Sequence, residues 1–235
     1  MAPRRGVVAL ATLPDDVLQA LAHGGVLSCS SAARALGLEL IDEPRAMHVT
    51  VPRGVRVSSS AGVVAHRRIV AADGYSTTPA RTAADCARCL PARDALVVVE
   101  SALRRGVAKD DILGQLWGRG SGSARSLVRR ADPGAGSGGE TIARMALEDA
   151  GVRVESQVFI LGVGWVDLLV EGRVVVEIDG FAYHSDVTQF AKDRRRDVAL
   201  TGMGYLVLRF TWVDVVRDPE RIVSVVTQVV SRWGG

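Results

Sequence analysis

The chain has 235 residues, enough for two average domains, and a hydrophobic fraction of 48% that gives each a core. No apolar run reaches the roughly eighteen residues a bilayer span needs, and the Met1-Ala2-Pro3-Arg4-Arg5 start lacks a secretory core and cleavage pattern, so a soluble, cytoplasmic protein without a membrane partner is expected. A net charge of +3 excludes any argument for polyanion binding from global charge, and a basic surface must be local.

The first 118 residues read as a smaller α+β domain. Helical signals run over Pro14–Ala22 and Ser30–Leu36, the second preceded by serines suited to capping. Strand-like segments follow at Met47–Val51 and Gly62–His66, then helices over Pro79–Cys89, Ala92–Arg105 and Ala108–Trp117. Cys29, Cys86 and Cys89 make no disulfide framework, and the odd count fits a reducing cytosol. Cys86 and Cys89 have the spacing of a metal-binding pair, but they fall in an apolar helical pattern with Ala83, Ala84, Ala87 and Leu90, and no second pair follows; they read as packing residues. His48, His66, Arg67 and Arg68 either line a groove for nucleic acid or are ordinary surface residues, and His23 has no supporting pattern.

Residues 119–136 are rich in Gly, Ser and Arg, the composition of a flexible linker. Within it Arg125, Arg129 and Arg130 have helical spacing, which suits either a short basic helix on DNA phosphates or a solvated face.

From residue 137 to 235 the pattern becomes α/β. It reads as a helix over Glu140–Ala150, strands over Val152–Phe159, Gly164–Val170 and Arg173–Ile178, a helix over Ser185–Thr201, a strand over Tyr205–Phe210 and a last helix over Pro219–Ser231. The third strand is a continuous apolar run and should be central in the sheet. Yet the most buried strands carry acids: Asp167, then Glu177 and Asp179 on one face. With a hairpin turn at Glu171-Gly172, Asp167 comes near Glu177. Like charges gathered in an apolar interior need a neutralising cation, and oxygen ligands suit magnesium. The alternative is solvated acids at a frayed edge, paired with arginines.

Asp167, a gap through a turn, and Glu177-Ile178-Asp179-Gly180 resemble the core of the PD-(D/E)XK nuclease superfamily. The continuation Asp179-Gly180-Phe181-Ala182-Tyr183-His184 is similar to very-short-patch-repair endonucleases and their bacterial relatives, as are Ser137-Gly138-Gly139-Glu140, Gln157, the Arg196-Asp197 pair and the strand Gly204–Phe210. The resemblance implies a restriction-endonuclease-like mixed central sheet flanked by helices, hydrolysing DNA phosphodiesters with Mg2+ or Mn2+. Asp167, Glu177 and the Ile178 backbone carbonyl would hold the ion. Where the superfamily usually has a catalytic lysine this chain has Asp179, so His184 is the implied proton acceptor and Lys192 a second candidate. Glu140 either reaches the metal or caps its helix. Lys192, Arg194 and Arg195, with Arg129, Arg130 and Gln157, are the expected nucleic-acid contacts.

In the N-terminal part, Ser28–Ala33, His48–Gly54 and Thr78–Asp85 resemble proteins related to abortive-infection antitoxins. Three functions follow as expectations: a DNA endonuclease, working as a homodimer if it cuts both strands; an inactive DNA-binding regulator of the antitoxin type; or an RNA nuclease.

Overall fold

The computed structural model describes residues 12–57, 62–67, 72–180 and 187–233, the side chains of 73, 187–193 and 233 excepted. It divides the chain into two compact units, Met1–Ala131 and Asp132–Gly235, each a mixture of helices and a mixed sheet.

The first unit runs α1 (Asp15–Ala22), β1 (Val26–Leu27), α2 (Cys29–Ala35), β2 (Met47–Val51), β3 (Val63–Arg67), β4 (Ala72–Asp73), β5 (Ser76–Thr77), α3 (Pro79–Cys89), α4 (Ala92–Arg104), α5 (Lys109–Gln115) and α6 (Gly122–Arg130). Its five strands lie in the order β3-β2-β1-β5-β4. β2 and β3 are parallel, as are β1 and β5, while β1/β2 and β4/β5 are antiparallel. The sheet core gathers Val17, Ala20, Leu27, Ala32, Val49 and Val51. Three strands have only two residues each, too short to leave a periodic signal in the sequence.

The Thr78-Pro79 start of α3 explains itself chemically. The Thr78 side chain accepts from the Arg81 N–H, and Pro79 occupies the first turn, where a missing N–H costs nothing. Arg81 and Asp85 then form a buried ion pair at 3.0 Å. Breaking such a pair by removing one partner strands a buried charge, at a cost of about 3–5 kcal/mol.

The stretch expected as a flexible linker is different. It holds α6, whose Ala124 and Val128, four residues apart, are buried against the rest of the first unit. Three cations tie it down. Arg88 donates to the Ser121 hydroxyl at 2.8 Å and the Trp117 carbonyl at 2.9 Å, and Arg125 donates to Leu113 and Leu116 carbonyls at 3.0 and 2.9 Å. Lys109 donates to the Ala131 carbonyl at 2.6 Å, beyond the end of α6. Arg125 therefore braces the C-terminal end of α5, where Leu113 and Leu116 lie. Composition suggested a tether, but an i, i+4 apolar pair and two half-buried arginines outweighed it.

The second unit runs α7 (Gly138–Asp149), β6 (Val154–Ile160), β7 (Gly164–Val170), β8 (Val174–Asp179), α8 (Val187–Gly202), β9 (Leu206–Thr211), α9 (Trp212–Arg217) and α10 (Pro219–Trp233). The strand order is β6-β7-β8-β9, antiparallel except for the parallel β8/β9 pair. β8, with Val174, Val175 and Val176 buried, is an interior strand, as a continuous apolar run requires. Glu171 and Gly172, both left-handed at φ 49° and 66°, make the β7–β8 turn and set its register. α9 has no counterpart among the expected helices; Thr211 and Asp214 form a reciprocal capping box that starts it.

α7 approaches β8 and α9 closely at Gly139, where an added Cβ would meet Ile178 Cγ2 at 2.8 Å and Trp212 Cε3 at 3.2 Å. Alanine ordinarily favours a helix over glycine by about 1 kcal/mol. Here the clash wins, and Gly139→Ala should destabilise the unit by about 1–3 kcal/mol in chemical denaturation. Gly202→Ala, where an added Cβ meets nothing within 4 Å, serves as the control and should not destabilise. Equal effects at the two positions would contradict the packing.

Candidate active site

Strand register draws one polar row across the second sheet. Leu169 pairs with Val175, so Asp167 and Glu177 follow on opposite strands, and Gln157 stands across from Asp167 on β6. Glu177 pairs in turn with Arg209 on β9. The β7/β8 ladder stops at Leu168 and Val176, and beyond it the Asp167 Oδ2 carboxylate accepts the Ile178 N–H at 2.8 Å. A side chain thus replaces the missing strand partner and splits the sheet where the acids sit.

Glu140 enters from the first turn of α7. Ser137 caps that helix by accepting the Glu140 N–H at 3.2 Å, while the Glu140 carboxylate accepts the Gly136 N–H at 2.8 Å. The same Oε2 accepts from Gln157 Nε2 at 2.8 Å, and that amide also reaches Asp167 Oδ1 at 3.4 Å. Glu140 thus both steadies its helix start and adjoins the other acids. Gln157 achieves its contacts from a left-handed backbone, φ 47°, in the middle of a strand. Such a conformation costs a non-glycine residue on the order of 1 kcal/mol or more and persists only where its surroundings enforce it. Expected on a nucleic-acid face, Gln157 instead has its amide among the carboxylates.

Among the described residues, the cations nearby do not balance the acids. Arg196 of α8 donates to Glu177 Oε1 at 2.9 Å and to the Trp165 carbonyl, so it faces inward. Arg209 is committed to Asp197 through two bonds of 2.7 and 2.9 Å. Its guanidinium also senses the charges of Asp179 and Glu177. Burial first, then the charge of Asp167, pushes the Glu177 carboxyl up to about 7, with Arg196 and Arg209 opposing. Burial likewise raises Glu140; the Gln157 amide pulls it back and the Asp167 charge adds to the rise. Glu140 is 5% exposed and Glu177 8%, so water does little to relieve them.

Hard oxygen donors with raised proton affinity, short of compensating charge, fit a divalent cation of the magnesium type. Asp167 and Glu177 are the side chains that would hold it, with the Ile178 carbonyl beside them and Glu140 adjoining. Asp179 lies two residues beyond Glu177 on β8, opposite Thr211.

Of the other expected residues, Arg194 and Arg195 are exposed on α8. Arg129 is exposed and Arg130 half-buried, both on α6 of the first unit. His184 and the side chain of Lys192 lie outside the described residues. Sequence reasoning assigned no inward role to Arg196, because a run of three arginines gives no sign of which one turns in. On the hairpin carrying Trp165, the exposed Phe159 and Trp165 rings meet edge to face at 5.4 Å.

Comparison with known proteins bears on this unit. The family model REase_MTES_1575 matches residues 140–230, a restriction-endonuclease-like domain in the C-terminal half that suggests nuclease activity. Over the wider chain, two uncharacterized Mycobacterium tuberculosis proteins, MT2308 of strain CDC 1551 / Oshkosh and Rv2248 of strain ATCC 25618 / H37Rv, are each 28% identical across 229 residues, covering 89% of this chain and 83% of theirs. No solved structure matches the chain. No helix among the described residues is long and apolar enough to cross a membrane.

Glu177 supplies a pH test. Its ordinary value is 4.5, so between pH 4.5 and about 7 the folded unit holds a proton that the unfolded chain has lost. Stability of the metal-free protein therefore declines as pH rises through that window, by up to about 3 kcal/mol from this group. In chelator, Glu177→Gln should raise the thermal midpoint of the second unit at pH 8 by about 4 °C or more, and the gain should vanish near pH 4.5. A gain independent of pH would show that the acid is not strained by burial.

Proposed function

We propose that the second unit is a metal-dependent endonuclease that hydrolyses DNA phosphodiester bonds. The observation that carries this reading is the meeting of half-buried Asp167 with buried Glu177 and Glu140 at a split in the sheet, within the segment that matches a restriction-endonuclease-like family.

Asp167 and Glu177 would hold Mg2+ or Mn2+, with the Ile178 carbonyl as a third ligand. The ion, when bound, supplies charge to the scissile phosphate and acidity to the attacking water. The Ile178 N–H fixes one Asp167 oxygen and leaves the other toward the Gln157 amide, so the carboxylate has one orientation. Gln157 joins Glu140 to Asp167 and keeps the two acids in register. Arg196 holds Glu177 by its Oε1.

A proton acceptor must stand in for the usual lysine. His184 is the one the resemblance supplies. Glu140 is a second, since burial raises its proton affinity while two hydrogen bonds fix its position. Exposed Arg194 and Arg195 on α8 are the phosphate contacts of the described surface, with the side chain of Lys192 outside it. Cutting both strands with one site per chain calls for a homodimer.

One observation favours the regulator reading. The protein's own Arg196 already pairs with Glu177, and Asp179 replaces the lysine, so the unit could keep the fold and bind DNA without cutting.

Nicking of supercoiled plasmid separates these. The parent with Mg2+ or Mn2+ should nick, Asp167→Ala should lose at least about a hundredfold, and whichever of His184→Ala and Glu140→Gln removes the acceptor should lose about as much. Absence of cleavage with every divalent metal, together with salt-dependent duplex binding in chelator, would establish the regulator instead. Preferential cleavage of a structured RNA over plasmid would move the substrate to RNA.

A further inference from the structure

Four soft metal ligands meet in the first unit, from four different elements. Cys29 opens α2, His48 lies on β2, His66 on β3, and Cys89 closes α3. One ligating atom from each lies within 4.8 Å of all the others. β2 and β3 run parallel with His48 opposite Val64 and Thr50 opposite His66, so the two histidines share a sheet face. Their rings stack at 5.3 Å, and His48 Nδ1 approaches His66 Nε2 to 3.1 Å. Cys89 Sγ comes to 3.9 Å from the same His48 nitrogen.

From these observations we propose that Cys29, His48, His66 and Cys89 form a structural zinc site. Zinc bonds of about 2.3 Å to sulfur and 2.0–2.1 Å to nitrogen place neighbouring ligands of a tetrahedron about 3.3–3.8 Å apart. The 3.1 and 3.9 Å separations bracket that range, and the widest requires only a small rotation of side chains. Two thiols and two imidazoles, with no carboxylate in the set, select zinc over the hard cations suited to the second unit. Four protein ligands leave no open position, which makes the site structural and not hydrolytic.

A hydrogen-bonded cluster of neutral groups is the competing account, and the backbone argues against it. Cys29 is fully buried and adopts φ 48°, a left-handed conformation that costs a β-carbon residue about 1–3 kcal/mol. A weak thiol hydrogen bond does not repay that; a zinc–thiolate bond does. The surroundings also frame the ligands. The His48 N–H donates to Ser31 Oγ at 2.9 Å and its carbonyl accepts the Ser28 N–H at 2.9 Å, fixing β2 against the start of α2.

Zinc in the full-length chain, purified without added metal or chelator, is read by inductively coupled plasma mass spectrometry. About one zinc per chain is expected, and Asp167→Ala/Glu177→Ala should keep it, whereas Cys89→Ser and His66→Ala should each retain less than about a tenth. Because a ligand variant can fail to fold, Co2+ exchanged into the parent provides a second reading: an intense visible spectrum of tetrahedral cobalt with a thiolate charge-transfer band. The proposal is overturned if the parent holds no zinc and Co2+ gives no thiolate band, if Cys89→Ser and His66→Ala keep the metal, or if it is lost with Asp167 and Glu177.

Discussion

Crowding carboxylates onto a sheet face that water barely reaches is the constraint that organises the second unit. Two like charges about 4 Å apart at the effective dielectric of a protein repel by about 4 kcal/mol, before either pays for leaving water. One guanidinium, Arg196, acts directly on Glu177, while Arg209 is engaged by Asp197. The remainder appears as raised proton affinity at Glu177 and Glu140. Other features follow from holding these acids in place: the stopped β7/β8 ladder, the Ile178 N–H turned to Asp167, the left-handed Gln157 and the glycine at 139 that lets α7 come near.

The two units differ in the kind of donor they gather. Oxygen acids converge in the second and sulfur with imidazole in the first, so one chain presents hard and soft ligand sets that do not compete for the same ion. In the first unit the cluster joins α2, β2, β3 and α3, elements that lie far apart in the sequence.

Much of the second unit was legible because its signals are local. The period of two along a strand put Glu177 and Asp179 on one face of β8, and the Glu171-Gly172 turn fixed its register with β7, which was enough to bring Asp167 near Glu177. Orientation within a charged run was not legible: Arg196 turns inward next to the exposed Arg194 and Arg195 because the register of α8 on the sheet decides it. Neither was the backbone of Gln157, since no residue type announces strain. The Cys/His cluster was hidden for a topological reason. Cys86 and Cys89 drew attention as a pair, whereas Cys89 meets Cys29, His48 and His66, which are distant in sequence and adjacent only after two strands pair and α3 returns. The connector misled through composition, where two small apolar residues one turn apart were enough to anchor a helix.

The twist at Gln157 reaches beyond the acids it serves. β6 is an edge of its sheet, with Phe159 and the neighbouring Leu161 and Trp165 exposed, the kind of rim that invites another chain to dock strand to strand. Such docking needs a flat, unbroken row of backbone donors and acceptors. A single left-handed residue midway along β6 interrupts that row, so the geometry that turns an amide toward carboxylates also makes this edge a poorer template for strand addition.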